Sequence, residues 1–416
     1  MNKNMKKIIF SIIILGSVFM TKAQQQERLV YTLQDCIQRG LENNLGLQIV
    51  RNDEQTAHNN ATLANAGALP TLDASASYRS SDIGNADFNF SANGTLNWTL
   101  FDGFKIQAND RQLRLLEQRG ETDTRIAVEN LVADIASEYY NYLQQIIRRA
   151  HYRYALSLSK ERLRIAELNY QTGRFSGLDY HLAKVDFNTD SAQYVKQQQI
   201  VRASRVKLNT LMSNPNVEQR IGVPDSTIIV RNDLELPTLW QQTLDANASI
   251  LRASQNTLIA EADYRKVTSR NYPYLKLNSG IDNHADVSGG LTMGINLFDG
   301  NRRRERRNAR LAIENSKLKR QQVEIQLHAD LTTFWQAYNN NLQLLTLQQQ
   351  NLEIAESNLE IAMERYKLGN LSGFDMRQVQ KSLLDAEERV LQVQYDAKLC
   401  EISLLQISGG IDYYLR

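Results

Sequence analysis

The chain is written twice, and a duplication of this length fixes the number and order of elements before any single segment is read. Leu41-Glu42-Asn43-Asn44 answers Leu244-Asp245-Ala246-Asn247, and Pro70 answers Pro273, both at an offset of 203 residues. Phe101-Asp102-Gly103 answers Phe298-Asp299-Gly300 at 197. Ala133-Asp134 against Ala329-Asp330 stands at 196, as does Tyr170-x-x-Gly173-x-x-Ser176-Gly177-x-Asp179 against Tyr366-x-x-Gly369-x-x-Ser372-Gly373-x-Asp375. The offset changes mainly between Pro and Phe-Asp-Gly. That is where a hairpin loop is expected, because loops absorb insertions that packed helices do not.

Each half therefore has one order: a helix, a Pro, a β-hairpin, Phe-Asp-Gly, a very long helix, a turn and a returning helix. The first repeat is placed at 24–212, with a helix over 32–67, a hairpin over 71–101 with its second strand at 88–101, a long helix over 104–172, a turn at 173–176 and a return over 177–212. The second is placed at 238–416, with a helix over 238–270, a hairpin over 274–298 with its second strand at 287–298, a long helix over 301–368, a turn at 369–372 and a return over 373–408. Residues 213–237, with Pro215, Pro224 and Pro237, read as a connecting segment with a short strand at 227–230. Only 5 Pro and 20 Gly in 416 residues are too few to break these elements up.

At ~1.5 Å per residue the long helices extend to about 100 Å, several times the width of a small globular domain. Their heptads show what they pack against. Leu345, Leu352, Leu359 and Tyr366 form one column at intervals of seven, and Leu347, Ile354, Ile361 and Leu368 form another. A separation of two residues is about 200° around a helix, so the columns face opposite flanks. The first repeat carries Leu156, Leu163 and Tyr170 beside Leu158 and Ile165. Such a helix is a stave with a neighbour on each side; a two-stranded coiled coil would show one seam instead.

The strands alternate. Phe88, Phe90, Ala92, Leu96, Trp98 and Leu100 interleave with Asn89, Ser91, Asn93, Thr95, Asn97 and Thr99, and Leu275, Leu277 and Ile281 interleave with Lys276, Asn278 and Asp282. Val287, Leu291, Met293, Ile295 and Leu297 stand against Ser288, Thr292, Gly294 and Asn296. Strands near ten residues with one apolar and one polar face suit a transmembrane barrel with a wet lumen. Two hairpins give only four strands, below the roughly eight of the smallest such barrels. Open edges are not tolerated in lipid, so several copies must contribute, and three would supply twelve strands. The second strand of each hairpin ends at Phe-Asp-Gly, where a Gly and a helix-capping acid convert sheet to helix without a linker domain.

The remaining signals narrow the function. Lys3, Lys6 and Lys7, an apolar run over 8–19 and Thr21-Lys22-Ala23 read as a signal peptide over 1–23. Without it, 44 of the 48 basic residues remain against 46 acidic ones, which does not suggest a nucleic-acid partner. Cys36 and Cys400 read as two separate buried thiols, although export permits a disulfide. The five histidines, His58, His151, His181, His284 and His328, lack the paired spacing of a metal site, so no metal or other cofactor is expected. No catalytic constellation and no Walker-type loop is present, so any energy comes from elsewhere. The run Arg302-Arg303-Arg304-Glu305-Arg306-Arg307 opens a helix directly after a membrane strand. Cations there oppose the helix dipole and call for anions, either outer-membrane lipid phosphate or acids on neighbouring helices. Trp98, Phe101 and Phe298 suit an interfacial aromatic girdle or simple packing. At the turns, Gly173 and Gly369 suit the left-handed position after a helix, while Ser176-x-x-Asp179 and Ser372-x-x-Asp375 read as capping boxes.

Taken together, the leader, the duplicated helix and hairpin order, the two Phe-Asp-Gly transitions and the two Tyr-x-x-Gly turns resemble the TolC family of outer-membrane efflux proteins across nearly all of the mature chain. The resemblance implies a mainly α homotrimer with a small β part. Its twelve-stranded barrel would sit in the outer membrane, continued by a large periplasmic α-helical barrel constricted at its inner tip. It implies a passive export channel, not an enzyme: the exit duct of a tripartite efflux or type I secretion system, working with a periplasmic adaptor protein and an inner-membrane efflux or ABC-type pump. Asp179 and Asp375 would lie at the constriction, and Tyr366 would hold the closed state by bonding Asp179. The chain departs from the family pattern at Leu371, where some members carry Arg, at Gln378, where a second acidic ring would stand, and at Leu45, the usual Pro. The alternative is a periplasmic or surface coiled-coil structural protein without channel activity.

Overall fold

The computed structural model describes residues 29–80, 88–174, 176–284 and 286–415; the expected leader and the middle of the first hairpin lie outside them. In chain order the elements are β1 (Leu29–Val30), α1 (Leu33–Asn43), α2 (Leu45–Asn60), α3 (Leu63–Ala66), β2 (Thr71–Ser80), β3 (Phe88–Asp102), α4 (Lys105–Gln171) and α5 (Gly177–Leu211). Then follow β4 (Ile221–Gly222), α6 (Leu236–Ala246), α7 (Ala248–Thr268), a 3-10 turn (Ser269–Asn271), β5 (Tyr274–Asp282), β6 (Val287–Gly294), α8 (Arg302–Lys367), α9 (Gly373–Ile407) and a closing 3-10 turn (Ile411–Leu415).

The first helix of each repeat, expected to be continuous, is broken in the middle. Asn44 and Asn247 sit at the breaks in extended conformation, with ψ of 119° and 121°, each at once the C-cap of one helix and the N-cap of the next. Asn44 Oδ1 accepts from Leu47 N at 2.9 Å, and Asn247 Oδ1 accepts from Ser249 N and Ile250 N at 2.9 and 3.2 Å. Their amides donate to the ends of the returning helices, Leu211 O at 2.9 Å and Ile407 O at 2.8 Å. Each Asn side chain caps the helix that follows the break and ties the break to the end of a returning helix, so the break recurs in both repeats.

All four long strands join one antiparallel sheet, ordered β2-β3-β5-β6. Register places Tyr78 against Phe90, Leu96 against Leu72, Trp98 against Leu277, and Leu277 against Leu291. Because strand side chains alternate, this puts Leu72, Tyr78, Phe90, Leu96, Trp98, Leu277, Ile281, Leu291 and Met293 on one face and most of the Asn, Thr and Lys residues, with Tyr274, on the other. Among the described residues nothing covers the apolar face: Leu72 is 79% exposed and Met293 75%.

The helices continue this order. Above the waist the packed pairs are α2 with α4, α4 with α7 and α7 with α8; below it they are α5 with α4, α4 with α9 and α9 with α8. Each set is a row one helix thick. Along α8 the two heptad columns separate as the spacing predicts. Leu359 and Tyr366 are buried against α9, whereas Leu347, Ile354, Ile361 and Leu368 are 49–76% exposed on the far flank. At the other edge of the row α5 exposes Leu178, Leu182, Val185 and Val195.

The largest core lies at the waist, where α1, the middle of α4, α5, α9 and the last turn meet around Ile37, Ile135, Tyr139, Leu208 and Ile402. The connecting segment fastens here too. The short strand expected at 227–230 is absent from the described structure; instead Ile221–Gly222 pairs in parallel with Leu29–Val30. Ile228 is buried as a side chain against Leu143 and Leu391, which explains the apolar signal without a strand. Glu401, fully buried, accepts from Lys398 Nζ at 2.7 Å, Tyr414 OH at 2.9 Å and Arg231 N at 3.0 Å. Burial pushes the Lys398 ammonium below the ordinary lysine range, while Glu401 pulls it back up. This satisfied pair clips the linker and the C-terminal turn onto α9. Cys36 and Cys400 are free thiols.

The two strand-to-helix transitions differ. β3 runs to Asp102, paired with Tyr274, and helix α4 begins almost at once. The second strand of the second hairpin, expected to reach Phe298, ends at Gly294, also level with Tyr274. Pro273 precedes Tyr274 and ends β5, so residues beyond 294 have no partner strand in the chain. The link 295–301 that results corrects the direct conversion expected there. Gly103 has φ +68°, and a Cβ on it would meet Ser269 O at 2.3 Å; a Cβ on Gly300 would meet nothing within 4 Å. Gly103→Ala is accordingly expected to destabilise the fold by on the order of 2 kcal/mol or more, and Gly300→Ala by less than about 1 kcal/mol. Thermal unfolding of the two variants in detergent checks the difference; equal losses would contradict it.

Candidate functional site

The two helical hairpins end in turns of matching construction. Gly173 and Gly369 have φ of +73° and +80°, a region that a side chain disfavours. Gly173 N donates to Tyr170 O at 3.0 Å and Arg174 N to Asn169 O at 2.8 Å; Gly369 N donates to Tyr366 O at 3.0 Å and Asn370 N to Arg365 O at 2.8 Å. This double closure satisfies the last carbonyls of α4 and α8 and reverses the chain. Ser176 and Ser372 then cap the returning helices. Their hydroxyls accept from Asp179 N at 3.3 Å and Asp375 N at 3.1 Å and donate to the aspartate Oδ2 atoms at 2.7 Å. Asp179 also accepts from Ser176 N at 3.3 Å, completing the reciprocal box in the first repeat.

The equivalent tyrosines part company. Tyr170 is half-exposed and stacks on Tyr180, with ring centroids 5.6 Å apart. Tyr366 is 1% exposed, held among Ile165, Leu359, Ala362, Met376 and Leu383. Burial pushes its phenol above the ordinary tyrosine range; Arg162 acts against the shift and Asp179 adds to it. Tyr366 and Asp179 thus lie within electrostatic reach across the two hairpins.

Behind the turns lies a buried charge network that the sequence reading missed. Arg162 on α4, 2% exposed, pairs with Asp186 on α5 and donates to Gly373 O at the start of α9 at 3.4 Å. Arg377 on α9 reaches Asp190 on α5 with two parallel bonds of 2.6 and 2.8 Å and stands 3.6 Å from Asp186. Ser159 on α4 donates to Asp190 as well. Burial pushes the Arg162 guanidinium down and Asp186 draws it back up, whereas the bonds to Asp190 push Arg377 up. Two arginines and two aspartates cancel in charge and tie three helices from both repeats at one level. The available signal was the column Asp190, Gln197 and Ser204, polar residues at intervals of seven that are all buried on α5.

At the sheet end, Asp102 Oδ1 accepts from Ile106 N at 3.0 Å and Asp299 Oδ1 from Asn301 N at 2.9 Å. Phe104 follows Gly103 and is itself left-handed at φ +73°, its ring held edge-on between Phe101 and Tyr272 at 5.2 and 5.6 Å. Trp98 Nε1 donates to Ala68 O at 2.9 Å, while Phe298 is 88% exposed. Within the arginine run Glu305 pairs with Arg270 at 2.6 Å and Arg302 donates to Asn296 O at 2.6 Å. Arg303, Arg304, Arg306 and Arg307 are exposed.

Removing one member of a buried ion pair strands the other. Arg377→Gln is expected to cost about 3 kcal/mol, and Asp190→Asn added to it to restore most of that loss. Unfolding midpoints of the two single variants and the double variant check this; additive losses would contradict it.

No curated protein matches the sequence. Among solved structures the fold is similar to CusC, studied for the changes that accompany its folding and transmembrane channel formation, with 18% identity, TM-score 0.79 and coverage of 94% of this chain and 96% of that one. It is similar to the outer membrane protein VceC of Vibrio cholerae, at 19% identity, TM-score 0.78 and coverage of 91% and 96%. The Campylobacter jejuni outer membrane channel CmeC gives 16% identity, TM-score 0.79 and coverage of 91% and 85%. The likeness at these identities is one of fold. The family model for outer membrane efflux proteins matches residues 36–214 and 239–410, most of both repeats, and the chain belongs to that family of channels, which are not enzymes.

Proposed function

We propose that three copies of this chain close into one export channel, with four strands from each completing a twelve-stranded barrel in the outer membrane and the helices forming a periplasmic tunnel. The observation that carries this reading is the four-stranded sheet, apolar and uncovered on one face and open at both edges, running without interruption of order into a single-layer wall of helices. Lipid covers such a face, and copies of the same chain satisfy such edges. A coiled-coil scaffold has no use for either. Among the described residues no helix is long and apolar enough to cross a membrane.

The channel is the exit duct of a tripartite efflux or type I secretion system. It is passive, and a periplasmic adaptor and an inner-membrane pump open its tip. Asp179 and Asp375 constrict that tip, and Tyr366 with Asp179 latches it. Arg303, Arg304, Arg306 and Arg307 meet lipid phosphate at the base of the barrel. Changing these four to Gln should lower the yield of membrane-assembled protein, and an unchanged yield would remove the lipid contact from the account.

Conductance in a planar bilayer tests the channel and its latch together. The native protein should open only small, infrequent pores, and Tyr366→Phe with Asp179→Ala should raise conductance several-fold. Equal conductance would refute the latch, and no conductance from either protein would refute the channel.

A further inference from the structure

At the waist, α4, α5 and the segment that carries β4 enclose a concavity of about 470 Å³, lined by Arg149, Arg202, Arg205 and Arg220. Among the described residues the side chains of these four form no ion pair and no hydrogen bond. Among the described residues of the lining the only carboxylate is Asp225, which accepts from Tyr139 OH at 2.5 Å. The floor is equally committed, since Tyr142 OH donates to Ile221 O at 2.7 Å. Arg205 Nε is cut off from solvent and has no acceptor.

Four like charges gathered in one concavity repel one another, and a buried donor without an acceptor is costly in its own right. Other deep cations in this chain are ion-paired, Arg377 with Asp190, Lys398 with Glu401 and Arg162 with Asp186 even though the Arg162 Nε also lacks an acceptor, whereas Arg205 has neither an acceptor at Nε nor an ion pair among the described residues. The guanidinium fork is suited to carboxylate and phosphate oxygens. We infer that this pocket binds a multivalent oxyanion, carboxylate or phosphate, whose oxygens take Arg205 and its three neighbouring guanidinium groups as donors. The site lies on the connecting segment, far along α4 from the tip, so ligand held there would fasten the linker to α4 and α5.

The full-length protein in detergent can be titrated calorimetrically with two probes, citrate for carboxylates and pyrophosphate for phosphates. Saturable binding of either probe, weakened about tenfold or more in Arg202→Gln with Arg220→Gln, supports the site. The probe that binds more tightly assigns the ligand chemistry. Both arginines are exposed on the rim, so without probe the variant should unfold at the native temperature or above it, as relief of the repulsion requires. Lys317→Gln with Lys319→Gln removes the same charge from α8 and should bind as the native protein does. No saturable binding, or equal weakening by the lysine variant, would overturn the inference.

Discussion

An unpaired edge on each side of the chain is the constraint on which the rest of this structure depends. The sheet ends at β2 and β6 and the helical row ends at α5 and α8 below the waist, so the same four-stave order runs from strands into helices. Hydrogen bonding inside the chain cannot close either edge. The exposed column Leu347, Ile354, Ile361 and Leu368 and the exposed stripe on α5 are the helical counterparts of the open strands. Apolar side chains run along both edge helices, the surface that the proposed assembly of copies would bury.

A wall one helix thick has no deep interior, and its cohesion is concentrated at a few levels. At the waist the apolar core is joined by the Lys398, Glu401 and Tyr414 cluster, which holds the linker and the last turn. Near the tip the level is set by Arg162, Arg377, Asp186 and Asp190, which hold α9 to the first hairpin. Buried ion pairs add little net stability, but breaking one is expensive, so they favour one register over its neighbours. That suits helices about 100 Å long, where a slide of one turn would cost few apolar contacts.

Much of this was legible in the sequence because it rests on periodicity. The long helices, the returning helices and the four strands follow from periods near 3.6 and 2, and the family follows from their duplicated order. What escaped detection rests on single side chains and on partners. Asn44 and Asn247 break helices whose apolar pattern runs straight through, since the amide that mends the break bonds to carbonyls more than 150 residues away. Phe298 matches Phe101 in motif but not in place, because the end of β5 decides where β6 stops. The tip network and the four-arginine pocket join residues from different repeats or from the linker, and no spacing along the chain records that. Ile228 shows the reverse error, an apolar signal read as a strand that is a single buried side chain.

The mass of the detergent-solubilised particle tests the central claim most directly. If the edges are satisfied only by further copies, light scattering corrected for bound detergent should give three chains, unchanged on dilution. A particle that stays monomeric in mild detergent while keeping its helical content would contradict the account.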